Sequence, residues 1–277
     1  MFNFFKKKSK DISNTKDNNK PKSILNNKDI LAEYQDVISS SIKSYIEIKA
    51  KKTDKLPLWQ SKFQGDPYLP EKQNYPKDNN GKYLYLLAQI NFEEMPPLAP
   101  YPKNGLLQFW ISDDDLYGLN FDNQLIQDSF RVIYYPEIQK KNLIKDFSFL
   151  PARENSPMEI ETEYALHFCK KEMPAGYMDY RFYEYFPESE DEFDGAYMNA
   201  YDDRGHRIGG YAGFTQLDPR NREEDGYKDK DLLLLQIDTD DESQIMWGDV
   251  GVANFFINET ALKKRDFSQI LYNWDCH

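Results

Sequence analysis

The chain has few of the residues that build metal centres and disulfide frameworks. It contains two cysteines, Cys169 and Cys276, and three histidines, at positions 167, 206 and 277, in 277 residues. Neither cysteine belongs to a Cys-x-x-Cys pair, and the histidines are too scattered for a zinc cage. We therefore expect free thiols, a cytoplasmic location, no metal and no cofactor.

Long apolar runs are also missing. No stretch approaches the ~20 residues that a membrane-spanning helix needs. At the N-terminus, Phe2, Phe4 and Phe5 precede a run of lysines, which is the reverse of the order in a secretory signal peptide. We expect no stable membrane insertion, although this aromatic and basic start leaves peripheral contact with an anionic membrane surface open.

Charge is distributed unevenly along the chain. Residues 1–28 hold eight lysines and two aspartates, so this segment carries +6, and the net charge of −12 leaves −18 on the remainder. An acidic body of this kind repels phosphate backbones, which argues against nucleic-acid binding. The excess acid is typical of a solvated surface, and it leaves a basic protein partner open. The composition of residues 1–28 predicts a disordered basic tail, followed by a single domain over residues 29–277.

Apolar periodicity gives the elements of this domain. Apolar residues between Ile30 and Ile46 recur every three or four positions, which predicts one amphipathic N-terminal helix. Strict alternation over Met158–Phe168 predicts a half-buried strand with Glu163 and His167 on its wet face. The acidic stretch at 188–203 allows a helix whose aromatic stripe packs on the body. Short strands without long helices between them predict an α+β fold with mostly antiparallel β-sheets.

Three sequence blocks occur twice. They contain Lys62, Gln89 and Gly105, and the counterparts Arg207, Gln236 and Gly251 follow after 145, 147 and 146 residues. The nearly constant offset predicts an internal duplication, with two pseudo-symmetric halves at about 55–135 and 200–277 joined by a connecting segment.

Each repeated strand carries a glutamine near its end, Gln89 in the first half and Gln236 in the second. A glutamine buried among aliphatic residues needs hydrogen-bond partners, since an unsatisfied amide costs ~1–3 kcal/mol. We interpret both as anchors that tie a strand to a glycine loop. The alternative is that both line a shared ligand groove.

Four further residues are candidates for a site in the second half: His206, Arg207, Trp247 and Asp249. Asp249 lies between two glycines, where it either bonds the amides of its own turn or acts as a base or metal ligand beside His206. No nucleophile accompanies them, so the sequence assigns no catalytic residue.

Several of these motifs resemble the YwqG-like family, which is bacterial, cytoplasmic and of unknown function. The resemblance extends over roughly residues 30–277 and depends on these segments: Ser61-Lys62-Phe63, Ala88-Gln89-Ile90, His206–Tyr211, Thr215–Arg220, Trp247-Gly248-Asp249 and Phe255-Phe256-Ile257. Gln64, Tyr75 and Ala212 stand where the family usually has glycine, tryptophan and proline. The resemblance implies a shared fold and no catalytic residue.

Two functions remain open on the sequence. The first is a non-enzymatic interaction protein, in one version an immunity-like protein that neutralises a basic partner. The second is an enzyme or small-molecule-binding protein with a cleft between the repeats, lined by Gln89, Gln236, His206, Arg207 and Asp249. The oligomeric state is not predicted.

Overall fold

A computed structural model describes residues 27–221 and 226–277. Nearly all of the predicted basic tail therefore lies outside the described residues. Five helices lie at Asn27–Glu33 (α1), Gln35–Ser40 (α2), Phe182–Tyr185 (α3), Asp191–Ala200 (α4) and Glu259–Lys264 (α5). Short 3₁₀ helices lie at Phe92–Glu94, Pro219–Asn221 and Tyr227–Asp229.

Ten strands of the described residues form one antiparallel sheet, which agrees with the predicted α+β class with mostly antiparallel pairing. They are β1 (Lys43–Thr53), β2 (Lys62–Phe63), β3 (Tyr85–Asn91), β4 (Leu106–Ile111), β5 (Phe130–Tyr135), β6 (Glu163–Met173), β7 (His206–Gly209), β8 (Leu232–Asp238), β9 (Val252–Ile257) and β10 (Leu271–Asp275). Their spatial order is β10-β9-β8-β7-β1-β6-β2-β3-β4-β5. The long strands β1 and β6 pair at the centre, with β2–β5 (the first half) on one side and β7–β10 (the second half) on the other.

The sheet curls so that its two ends meet through side chains. Phe109 of β4 and Phe255 of β9 have ring centroids 4.8 Å apart, and the Phe130 and Tyr272 rings of the two edge strands lie 5.1 Å apart. The main apolar core contains residues of both halves and lies inside this curl. Such packing of one sheet face against itself buries the largest share of apolar surface.

The prediction of a single N-terminal helix through Ile46 is wrong. Two short helices follow one another, of which α1 ends at Glu33 and α2 at Ser40, and the Ser41 hydroxyl donates to the Ile38 carbonyl at 2.8 Å. From Lys43 onward the chain is β1, which pairs with β6 over its whole length and with β7. Hydrogen bonding to two neighbouring strands outweighs the local helical periodicity, since propensity is a weak prior.

The strand predicted over Met158–Phe168 begins later, at Glu163. Residues 159–162 form a turn in which the Thr162 N–H donates to the Glu159 carbonyl, and Glu161 has a φ of 66°. Glu163, predicted to be on a wet face, is only 8% exposed, whereas His167 is exposed as expected. In the acidic stretch, α4 packs Phe193 and Tyr197 into a second core cluster, as the sequence interpretation has it.

Candidate functional site

Gln89 is fully buried and all its polar groups are bonded. Its Oε1 accepts from the Tyr68 N–H at 2.9 Å and from Gln108 Nε2 at 2.8 Å. Its Nε2 donates to the carbonyls of Leu58 and Gln60, each at 2.8 Å. Gln108 Nε2 also donates to the Tyr68 carbonyl at 2.7 Å. The amide thus joins β3 to the loops on both sides of β2.

Gln236 makes the same kinds of contact in the second half. Its Oε1 accepts from the Gly213 N–H at 2.8 Å, and its Nε2 donates to the carbonyls of Asp203 at 3.2 Å and Gly205 at 2.8 Å. Asn254 Nδ2 donates to the Gly213 carbonyl at 2.8 Å. Each loop partner of Gln236 stands 145 residues after the matching partner of Gln89. Neither glutamine lines the large cleft described below.

Two buried cations lie beside these loops, Lys62 on β2 and Arg207 on β7. Lys62 is 0% exposed, and its Nζ lies 3.2 Å from Glu163 Oε2 and 3.0 Å from the Asp66 carbonyl. The Glu163 carboxylate also accepts from the N–H groups of Leu56 and Asp66, at 2.7 and 3.1 Å. Burial lowers the pKa of Lys62, and the Glu163 carboxylate opposes that effect.

Arg207 occupies the matching place on β7, but in the described part of the chain its guanidinium bonds carbonyl oxygens and not a carboxylate. It is 2% exposed, and its guanidinium donates to the Arg204 carbonyl and, at 3.5 Å, to the Tyr211 carbonyl, with Met173 Sδ at 3.2 Å. The Tyr45 ring faces it at 5.4 Å. Within the described part of the chain, Arg207 Nε has no hydrogen-bond partner. Burial lowers the pKa of this arginine.

His206 is buried beside two carboxylates. Its Nδ1 accepts from the Asp238 N–H at 2.9 Å, so the neutral ring carries its proton on Nε2. That nitrogen lies 3.5 Å from Asp240 Oδ2 and makes no hydrogen bond to the described residues. The imidazole holds the pKa of the Asp240 carboxyl well below its ordinary value, whereas burial raises the pKa of Asp238.

The remaining two sequence candidates lie elsewhere. Trp247 is 0% exposed and packs edge-on against Tyr117 in the main core. The Asp249 side chain is exposed, and the Asp249 carbonyl accepts from the N–H of His277. The structure therefore places Asp240, and not Asp249, beside His206. No sequence pattern distinguishes Asp240 from the neighbouring carboxylates Asp241 and Glu242 in the turn after β8.

A cleft with a volume of about 1190 Å³ lies along β1 and the second half. His206, Arg207 and the other two histidines of the chain line it. Seven carboxylates line it: Glu47, Asp202, Asp203, Asp238, Asp240, Asp241 and Glu242. Four cationic side chains accompany them: Lys49, Lys51, Arg204 and Arg207. Burial raises the pKa of Asp203.

A buried network of two aspartates and two arginines was missed by sequence reasoning. Arg220, 0% exposed, bonds Asp218 through Nε at 2.9 Å and Nη2 at 2.7 Å, and Asp179 through Nη2 at 2.9 Å. Arg181 bonds Asp179 with two further contacts of 2.7 Å. Burial alone would raise the pKa of Asp179, but the two guanidinium groups hold it well below its ordinary value.

A local signal for this network exists in the sequence as Asp-x-Arg. In the pairs Asp179/Arg181, Asp218/Arg220 and Asp202/Arg204, the carboxylate accepts from the arginine's own backbone N–H and from its guanidinium. The aspartate thus forms a short turn that holds the guanidinium against it. The third pair lies exposed at the rim of the cleft.

Among residues 27–221 and 226–277, no helix is long and apolar enough to cross a membrane. Across the same residues, no group of three or more His, Cys, Asp or Glu side chains could hold a metal ion.

Comparisons with known proteins assign the family of this chain. None of the curated proteins compared with the chain matches it. The family described as domain of unknown function DUF1963 matches residues 61–276, which include both halves of the sheet, and the chain therefore belongs to that family.

Proposed function

We propose that this chain is a non-enzymatic cytoplasmic protein that binds a basic protein partner in the acidic cleft, as an immunity-like protein would. The observation that carries the proposal is the unequal charge of the cleft lining. Arg204 is already paired with Asp202 at 2.8 Å, and Arg207 is buried. Among the carboxylates, Glu47 is paired with Lys171 at 2.7 Å and Asp238 is buried. Asp203, Asp240, Asp241 and Glu242 remain against Lys49 and Lys51, and this excess attracts basic side chains.

The state of His206 favours binding over catalysis. Because Nδ1 accepts a backbone hydrogen bond, the neutral imidazole presents an N–H to Asp240 and has no free lone pair for abstracting a proton. This arrangement suits a hydrogen-bond donor in a recognition surface. The net charge of −18 on the chain beyond residue 28 also favours fast association with a basic protein and disfavours nucleic acid.

The double variant Asp241→Asn/Glu242→Gln is expected to weaken capture of a basic protein from cytoplasm. Both side chains are exposed and line the cleft, so their loss removes two charges without opening the core. At about 0.2–1 kcal/mol for each exposed pair, affinity falls roughly two- to thirtyfold. The measurement is quantitative mass spectrometry of protein retained by each bait.

The matched control is Glu71→Gln/Glu137→Gln, which removes two exposed charges from residues that do not line the cleft. This variant should retain the same basic protein as the unmodified chain. Equal losses with both variants, or no stoichiometric basic protein on any bait, would count against the proposal.

A second candidate function is the binding of a small cationic molecule, favoured by the volume of the cleft and the buried, half-buried and exposed carboxylates within it. Under this alternative, millimolar spermidine raises the Tm of the unmodified chain because ligand binding stabilises the folded state. The rise should shrink in the Asp241→Asn/Glu242→Gln variant. A Tm equal to that in sodium chloride of matched ionic strength would remove the alternative.

We also propose that residues 29–277 form a single domain whose two halves arose by internal duplication. The support is the repetition of the glutamine contacts and of a register shift between β3 and β4 and between β8 and β9. The motifs that resemble the YwqG-like family fall on these strands and loops, which favours placing the chain with those bacterial proteins.

A further inference from the structure

We infer that the partner enters the cleft as an extended basic segment whose main chain donates a hydrogen bond to the Phe214 carbonyl. The inference rests on the proposed function and specifies the form of the partner. The first half provides the precedent, because residues 138–147 of the chain itself lie across the loop that follows β2.

In the first half, residues 138–147 cover the loop that follows β2. Leu143 forms an isolated antiparallel bridge with Pro70. The Ile144 N–H donates to the Leu69 carbonyl, and the Glu71 N–H donates to the Asn142 carbonyl, each at 2.9 Å. Leu143 and Phe147 also pack in the apolar cluster that contains Leu58 and Trp59. An extended segment therefore docks on this loop by main-chain pairing and apolar contact.

The loop that follows β7 is built in the same way but lines the open cleft. Gly213 makes the same two backbone hydrogen bonds as Tyr68. Its N–H donates to the side-chain oxygen of Gln236, and its carbonyl accepts from the side-chain nitrogen of Asn254. By the same offset Phe214 corresponds to Leu69, and both Gly213 and Phe214 line the cleft. The Gln216 N–H, which corresponds to that of Glu71, is bonded to Asp275. The Phe214 carbonyl is thus the counterpart of the acceptor used by Ile144.

The side chains around the second loop select a different ligand chemistry. Leu58 and Trp59 of the first half correspond to Asp203 and Arg204 in the second. A segment placed here meets the Asp203 carboxylate and the Asp202–Arg204 ion pair where residues 138–147 meet apolar side chains. Because Asp240, Asp241 and Glu242 also line the cleft, basic residues are favoured in place of Leu143 and Phe147.

Two buried donors under the cleft strengthen the case for a peptide. His206 Nε2, which lies 3.5 Å from Asp240 Oδ2, and Arg207 Nε make no hydrogen bond to the described residues, and both residues are less than a tenth exposed and line the cleft. A free anion would satisfy them but is repelled by the surrounding carboxylates. A peptide supplies neutral carbonyl acceptors together with cationic side chains, so it offers acceptors to these donors without adding negative charge to the cleft.

The test uses a fluorescent peptide of about eight alternating lysine and valine residues, the usual length of a strand. Its twin carries N-methyl groups on alternate residues, which remove main-chain donors and keep the charge. Fluorescence anisotropy with the whole chain should show that N-methylation weakens binding roughly tenfold or more. Asp241→Asn/Glu242→Gln should weaken binding of the unmethylated peptide severalfold, and Glu71→Gln/Glu137→Gln should not.

Equal affinity for the two peptides would overturn the extended-segment inference. If Asp241→Asn/Glu242→Gln still weakened both peptides, the acidic cleft would remain a site for basic partners and the proposed function would stand. If neither peptide bound while a basic protein was captured through the cleft, the inference would again fail alone. Absence of cleft-dependent binding of the peptides and of any basic protein would remove both.

Discussion

Replacing Arg220 with alanine is expected to lower the free energy of unfolding by about 3–5 kcal/mol, the cost of removing one partner from a buried ion pair. Arg220 neutralises Asp218 and Asp179, which are 4% and 1% exposed. Its guanidinium also lies 4.0 Å from the centroid of the Phe256 ring, so truncation leaves space as well as charge. Urea denaturation followed by tryptophan fluorescence measures the change.

The matched control is Arg204→Ala. Arg204 makes the same Asp-x-Arg contact with Asp202, but its side chain is 82% exposed. Solvent replaces the lost interaction, so we expect the free energy of unfolding to change by less than about 0.5 kcal/mol. A loss below about 1 kcal/mol for Arg220→Ala would mean that the buried network is not a major source of stability.

The sequence predicted those elements whose local pattern agrees with their tertiary setting. The apolar runs Leu232–Asp238 and Leu106–Ile111 are buried along almost their whole length, because both faces of the sheet are covered there. Glycine and proline mark the ends of such strands clearly. Their antiparallel pairing followed from the absence of long helices between them.

The errors occur where a distant part of the chain decides the local conformation. Residues 43–46 have the spacing of a helix, but two neighbouring strands draw them into β1. Glu163 has the alternation of a wet face, but Lys62, a hundred residues earlier in the chain, pairs with it in the interior. No local pattern contains the position of that partner.

Most of the residues that line the cleft could not be predicted from the sequence either. His206 and Arg207 were named among the candidates and line the cleft, whereas Gln89 and Gln236, placed in a shared groove only by the alternative interpretation, are buried outside it. Asp240 reaches His206 because the turn after β8 folds back on the start of β7. The distance between a turn and a strand depends on the curl of the sheet, which periodicity does not encode.

Gln89→Ala and Gln236→Ala are expected to be strongly destabilising, with the larger loss at Gln89. Truncation at Gln89 leaves four buried polar groups without that partner, and truncation at Gln236 leaves three. Unsatisfied groups cost ~1–3 kcal/mol each. Partial relaxation and water entry reduce the sum to about 3–5 kcal/mol at Gln89 and about 2–4 kcal/mol at Gln236. Urea denaturation of each variant provides the measurement.

The exposed Gln73→Ala variant serves as the control, since the Gln73 side chain lies in solvent and its loss should change the free energy of unfolding by less than about 0.5 kcal/mol. The two anchors also test how the halves are coupled. Both sit on strands that pack into one shared core, so the double variant Gln89→Ala/Gln236→Ala should unfold in a single transition. Two separate transitions would show that each half is stabilised by its own loops and glutamine more than by the packing of Phe109 against Phe255.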